Sequence, residues 1–299
     1  MTRVADGRTT GGRTGDAPAG DARFAGSRIS EGLALLGPAE TALLRLLDDT
    51  FRGWGADAGA AEISAPPLYP VSDLAGLDLY VNFPHLALVA GGLETPVTGP
   101  DRGRFPAGEV TDPHLGLSTA TCFGAYLLYQ DRQVAPDTLV TLVNRCFRKE
   151  THFDGLRRLL SFQMREIVAL GTFAHTQATI ARFRERIEDF LGRLGLGYEV
   201  RAATDPFFQG GGARALLQRL EPVKYEFQVD GVAIASVNTH RNFFGERCRI
   251  TLDEDGTPAF TGCVAFGMER WVGALVDRHG DADRARTRVE QALGAPGAA

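Results

Sequence analysis

The chain has 299 residues, 44% of them hydrophobic, enough to build a sizeable core in one large domain or two modest ones. Its formal net charge of −5 at pH 7 argues against a general nucleic-acid binder, which would carry a basic surface. No apolar run approaches the roughly 18 residues of a membrane span and no apolar h-region opens the sequence, so we expect a cytoplasmic protein. Its four cysteines, Cys122, Cys146, Cys248 and Cys263, lie far apart, which fits a reducing compartment and not a small disulfide scaffold.

Residues 1–28 are rich in Gly, Arg, Asp and Thr and poor in large apolar residues. We expect a disordered tail there, one folded domain over 29–290, and a second short tail at 291–299. PAETALLRLLDDTFRGW (38–54) opens on proline and carries Leu43, Leu44, Leu46, Leu47 and Phe51 at helical spacing. AEISAPPLYPV follows, β-branched and aromatic residues cut by prolines, an edge strand or extended segment. PDTLVTLVNRCFRKET holds a strand-like run through Val143 and Phe147, and GLRRLLSFQMREIVAL returns as a second strand. HTQATIARFRERIEDFLGRLGL (175–196) is the clearest helix, with Ile180, Phe183, Ile187, Phe190 and Leu191 on one face and arginines on the other. VKYEFQV (223–229), GVAIASVN and RCRITLDEDGTPAFTGCVAF alternate and turn as strands, and ERWVGALVDRHG closes as a helix. The expected class is α+β, an antiparallel β-sheet flanked by helices.

Two stretches carry chemistry. In the first, Phe147-Arg148-Lys149-Glu150 precedes a charged turn, and Phe162-Gln163-Met164-Arg165-Glu166 follows it. Residues two apart on a strand share a face, so Arg148 and Glu150 would point the same way. An arginine for a phosphate, a carboxylate for an exocyclic amine and a ring to stack on a base suit a nucleotide. A solvated hairpin with an ion pair fits the same pattern. In the second stretch, Cys263, Ala265 and Gly267 place small side chains at alternate positions, and Glu269-Arg270 opens a helix. A ligand can lie against such a strand and meet Arg270 at the helix N-terminus.

Together the two stretches resemble motifs 2 and 3 of class II aminoacyl-tRNA synthetases, in the right order, across roughly residues 38–275. The resemblance implies ATP bound in a bent form on an antiparallel sheet. Arg148 would hold the α-phosphate, Glu150 the adenine amine, Phe162 the adenine ring and Arg270 the γ-phosphate, with Arg157 or Arg158 closing a loop over the phosphates. Ala265 stands where glycine is usual. The glutamate that normally binds Mg²⁺ before motif 3 has no counterpart, and Glu226 and Asn238 are the available substitutes.

The trio Cys122, Glu166 and Cys263 is similar to that of methanogen-type seryl-tRNA synthetases and their shortened relatives, the amino acid:[carrier protein] ligases. A Cys-Glu-Cys set leaves one position open on tetrahedral Zn²⁺, and in those families the substrate amine takes it. On spacing alone the three residues read as buried cysteines and a surface carboxylate. Asn238 and His240 in SVNTHRNFFGER, ATDPFFQGGG (203–212) and NFPHL (82–86) resemble further ligase segments. Within the second of these, Asp205 suits either the amino-acid pocket or a turn. Cys146 and Cys248 are expected in the core.

The resemblance leaves three functions open. A ligase would activate a small amino acid, glycine or alanine and then serine, and load the phosphopantetheine thiol of a carrier protein. A seryl-type synthetase would charge tRNA, and a non-catalytic relative would regulate. The chain runs only from Arg270 to residue 299 after motif 3, opens on a Gly-rich stretch and is acidic, so we expect the carrier ligase, as a homodimer. Arg182, Arg184, Arg186 and Arg193 on the helix at 176–193 could dock an acidic carrier; Glu185, Glu188 and Asp189 among them equally suit a solvated face.

Overall fold

The computed structural model describes residues 22–24, 26–94, 99–101, 103–203 and 223–294. Its centre is a seven-stranded sheet. In chain order the strands are β1 (Ala61–Glu62), β2 (Asp137–Phe147), β3 (Ser161–Gly171), β4 (Glu199–Ala203), β5 (Lys224–Val229), β6 (Val232–Arg241) and β7 (Phe260–Gly267). Their spatial order is β4-β5-β6-β7-β3-β2-β1. Every neighbouring pair is antiparallel except β1 with β2. The described helices used below are α1 (Pro38–Asp57), α2 (Phe123–Leu128), α3 (Phe173–Leu194), α4 (Phe243–Cys248), α5 (Met268–His279) and α6 (Ala282–Gly294).

Strand alternation decides which residues face which layer. On β3, Ile167 and Ala169 enter a core built with α1, α3, α5 and α6. Val168 and Leu170 enter a second core built with α2, α4 and the segments around Leu74 and Leu79. The helical layer is fixed by aromatics. Phe51 stacks on Phe266 with centroids 4.0 Å apart, and Trp54, Phe190 and Trp271 close around the pair. The β5–β6 hairpin turns on Asp230 and Gly231, both at positive φ (48° and 75°), the conformation a tight two-residue turn requires.

Adjacent residues Arg165 and Glu166 therefore diverge. Arg165 is 1% exposed on the helical side, where it pairs bidentately with Asp48 at 2.8 and 2.9 Å and reaches Glu62 at 3.2 Å. Glu166 is equally buried on the opposite side.

The predicted α+β class and antiparallel sheet hold. The α1 pattern extends to Asp57, and the helix expected at 175–196 spans Phe173–Leu194. A correction concerns the tails. Phe24, inside the stretch expected to be disordered, is buried against the helical core, and Ser27 accepts from Gly37 N and donates to Glu40. Likewise α6 runs to Gly294 and buries Ala292, so the expected second tail begins too early. Residues 1–21 and 295–299 lie outside the described residues.

Candidate active site and metal centre

The sheet face opposite α1 and α3 lines a groove. Backbone register sets residues of β5, β6, β7 and β3 in rows across it. One row is Lys224, Asn238, Cys263 and Val168; the next is Glu226, Ser236, Ala265 and Glu166. Gly267 opposite Met164 marks the far end, where Phe162, Arg148 and Arg270 also line the groove.

That far end is cationic and aromatic. The Arg148 guanidinium lies 5.1 Å from the Phe162 ring centroid, and its Nε and Nη2 donate to the Thr119 carbonyl at 3.2 and 3.1 Å. Arg270, in the first turn of α5, donates to the carbonyls of Arg157 (2.9 Å) and Ala233 (3.0 Å). Burial, reinforced by Arg148, lowers its pKa to about 10. Beside it Glu269 is buried, accepts from Gln163 N at 2.7 Å, and so ties the start of β3 to the start of α5.

The other end is a thiol and carboxylate cluster. Ligand atoms of Cys122, Glu166 and Cys263 all lie within 4.8 Å of one another. Cys122 arrives from the turn that opens α2, Glu166 from β3 and Cys263 from β7, which is why their spacing along the chain is uninformative. Glu166 Oε1 accepts from Thr121 N at 3.0 Å, whereas the buried Oε2 has no partner with hydrogen-bond geometry. Contact with the Cys263 thiol, burial and the Glu166 carboxylate push the Cys122 thiol well up. Cys263 is also raised: contact with Cys122 lowers it, but burial and Glu166 outweigh that. Burial raises Glu166. Three buried acids that resist ionising together, one with an unpartnered oxygen, fit a thiophilic divalent cation such as Zn²⁺. Asn238 Nδ2 donates to Cys263 Sγ at 3.3 Å, and His240 Nε2 lies 3.9 Å from the same sulfur while Nδ1 meets Tyr126 Oη at 3.1 Å.

Not every expected residue reaches the groove. Glu150 lies past the end of β2, and its carboxylate is taken by Arg158 at 2.7 Å, so it does not line the groove as expected of a base-reading residue. Arg157 donates to the Asp230 carbonyl and pairs with Asp154. Glu226 lines the groove, but Lys224 (3.4 Å) and Gln228 (3.1 Å) hold its carboxylate, a poor vacancy for Mg²⁺. Asp205 lies outside the described residues. Cys146 and Cys248 are buried and free, as expected. Sequence reasoning missed Lys224 as a groove residue; the alternation of VKYEFQV, which already placed Glu226, puts Lys224 on the same face.

Comparison with known proteins decides the family. The chain is 32% identical over 246 residues to an amino acid–[acyl-carrier-protein] ligase of Bradyrhizobium diazoefficiens, covering 75% of this chain and 73% of that protein. The chain belongs to the amino acid–[acyl-carrier-protein] ligase family. A type-2 serine–tRNA ligase of Methanocaldococcus jannaschii is 27% identical over 184 residues, 56% of this chain and 35% of the relative. Among solved structures, the Methanopyrus kandleri seryl-tRNA synthetase in complex with A. aeolicus tRNASec superimposes with a TM-score of 0.73 at 20% identity. That match covers 91% of this chain and 59% of the synthetase, and it establishes the class II synthetase fold. No protein-family model matches the chain. The enzyme is a ligase with a class II synthetase-like fold, and no helix among its described residues is long and apolar enough to cross a membrane.

Proposed function

We propose that this ligase activates a small amino acid with ATP and transfers the aminoacyl group to the phosphopantetheine thiol of an acyl-carrier protein. The observation that carries the reading is the pairing, on one sheet face, of a cationic aromatic end (Arg148, Phe162, Arg270) with a Cys122–Glu166–Cys263 end. ATP fits the first: Phe162 offers a stacking face, Arg148 a grip for the α-phosphate and Arg270 one for the γ-phosphate, with Mg²⁺ carried on the phosphates. Cys122, Glu166 and Cys263 would hold zinc, which supplies a Lewis acid with a position open to an amino group. The metal leaves little room beside it, which favours glycine, alanine or serine.

The chemistry asks mainly for positioning and charge neutralisation. A carboxylate oxygen attacks the α-phosphorus, the bond to the bridging oxygen breaks, and pyrophosphate leaves. A thiolate then displaces AMP from the acyl carbon, and no general base is required of the protein in the first step. Glu150 and Arg158, now paired with each other, are the residues that would exchange that contact for adenine amine and phosphate.

We place carrier docking on α3 and expect a homodimer. Arg182 is exposed, its Nη2 3.5 Å from the Asp57 carbonyl; Arg184 pairs with Glu188 and lies against Tyr225, and Arg193 pairs with Asp189, each carboxylate one turn away on the same helix. Such surface pairs are worth ~0.3–0.5 kcal/mol and exchange readily for an acidic partner. Arg186 is otherwise committed, to Asp57 and the Trp54 ring. Arg182→Glu should slow carrier loading without slowing amino-acid-dependent pyrophosphate exchange; equal loss in both steps would refute the docking face.

A further inference from the structure

Three lysine and arginine side chains among the described residues line the groove: Arg148, Arg270 and Lys224. The first two stand at its Phe162 end. Lys224 stands at the other, and nothing in the ATP assignment uses it. We propose that Lys224 holds the α-carboxylate of the amino acid during activation. This rests on the amino-acid activation proposed above.

Position and charge both point to Lys224. Lys224 is in register with Asn238, and Asn238 with Cys263. Two strand spacings, about 10 Å between Cα atoms, therefore separate Lys224 from Cys263. Asn238 Nδ2, already 3.3 Å from Cys263 Sγ, bridges that interval on the same face. Arg270, by contrast, rests on the Ala233 carbonyl, five residues along β6 from Asn238 or roughly 16 Å of extended chain. An amino acid carries its amine and carboxylate on one carbon. If the amine sits at the cysteine end, the carboxylate falls within reach of a lysine stem on the adjacent strands and not of Arg270.

Lys224 is poised and not idle. Its Nζ lies 3.4 Å from Glu226 Oε1, and both side chains are about four-fifths buried (19% and 22% exposed). Glu226 keeps the ammonium over the groove, and a flexible four-carbon stem lets it turn to a second carboxylate. The need is electrostatic. A carboxylate must approach a triphosphate of like charge, and a cation on the carboxylate offsets that repulsion. The carboxylate's electron pair forms the new P–O bond, and pyrophosphate takes the electrons of the bond that breaks.

The test uses the full chain and Lys224→Met and Lys224→Arg, with the amino acid that the wild type activates fastest and the amino alcohol of the same skeleton. Loss of one charge-assisted contact should weaken the amino acid by roughly 10- to 100-fold, in calorimetric Kd and in KM for pyrophosphate exchange. The amino alcohol, which has no carboxylate, should bind both proteins alike. Lys224→Arg should recover part of the loss, while KM for ATP and zinc content stay as in the wild type. A Lys224→Met protein whose KM rises for ATP and not for the amino acid would overturn the assignment, as would unchanged amino-acid affinity. Wild-type enzyme that exchanges pyrophosphate with none of twenty amino acids would remove the activation reading itself, and this inference with it.

Discussion

Replacing Arg165 by methionine should cost stability and leave the active site intact. Arg165 is 1% exposed, yet its partners are not equally buried: Asp48 is 23% and Glu62 51% exposed. Removing one member of a fully buried pair costs ~3–5 kcal/mol because the other charge is stranded. Here Asp48 and Glu62 can turn to water, which offsets part of that cost. Methionine also fills much of the arginine's volume and leaves only the Thr141 hydroxyl, at 3.4 Å from Nη1, without this neighbour. A net loss of about 2–3 kcal/mol follows, dominated by the bidentate contact to Asp48. For a domain of this size that corresponds to a fall of roughly 4–10 °C in Tm. Thermal unfolding by circular dichroism reads it directly. Metal content should be unchanged, because Arg165 points away from Cys122, Glu166 and Cys263. A Tm within about 1 °C of wild type, or a Tm loss matched by loss of metal, would refute the two-faced assignment of β3.

The neighbouring substitution should do the reverse. Glu166→Gln keeps an oxygen for Thr121 N but presents an amide to the two thiols, so zinc content should fall well below one equivalent while far-UV circular dichroism is retained; full zinc content would contradict the site. Because contact with Cys263 and burial at Cys122, and burial at Cys263 and Glu166, hold these protons on above their usual pKa values, metal binding must release protons. Zinc affinity, followed by competition with a chromophoric chelator, should therefore weaken steadily as pH falls from 8 to 6; a flat profile would exclude thiolate ligation. Arg148→Ala should lower adenylate formation about 10²–10³-fold at unchanged Tm, since its guanidinium is a donor at the rim of the groove and not a core contact. Phe51→Ala, in the helical layer, should cost ~3–5 kcal/mol in chemical denaturation without changing KM for ATP.

Much of the site was legible because strand alternation is a local rule. Phe162, Met164 and Glu166 face the groove for the same reason that Cys263, Ala265 and Gly267 do, and both sets could be counted from the sequence. The limits are equally physical. The direction of Glu150 was not legible because β2 ends at Phe147, and beyond a strand's last residue alternation no longer fixes direction; its carboxylate meets Arg158. Phe24 was assigned to a tail because composition averages over a window, whereas one aromatic docked on a core is enough to order a short segment. The cluster of Cys122, Glu166 and Cys263 could not be derived from spacing at all: its members come from a turn and two strands joined only by sheet register. α6 was missed because its buried residues are Ala282, Ala285, Val289 and Ala292, too small to make an apolar stripe stand out.

The measurement that bears most directly on the whole account is aminoacylation with both acceptors present. Enzyme, ATP and radiolabelled glycine, alanine or serine are mixed with holo carrier protein and bulk tRNA together. The account predicts label on the carrier, released by thiol exchange, and none on tRNA. Label on tRNA with an untouched carrier would contradict it and make this chain a synthetase in function as well as in fold.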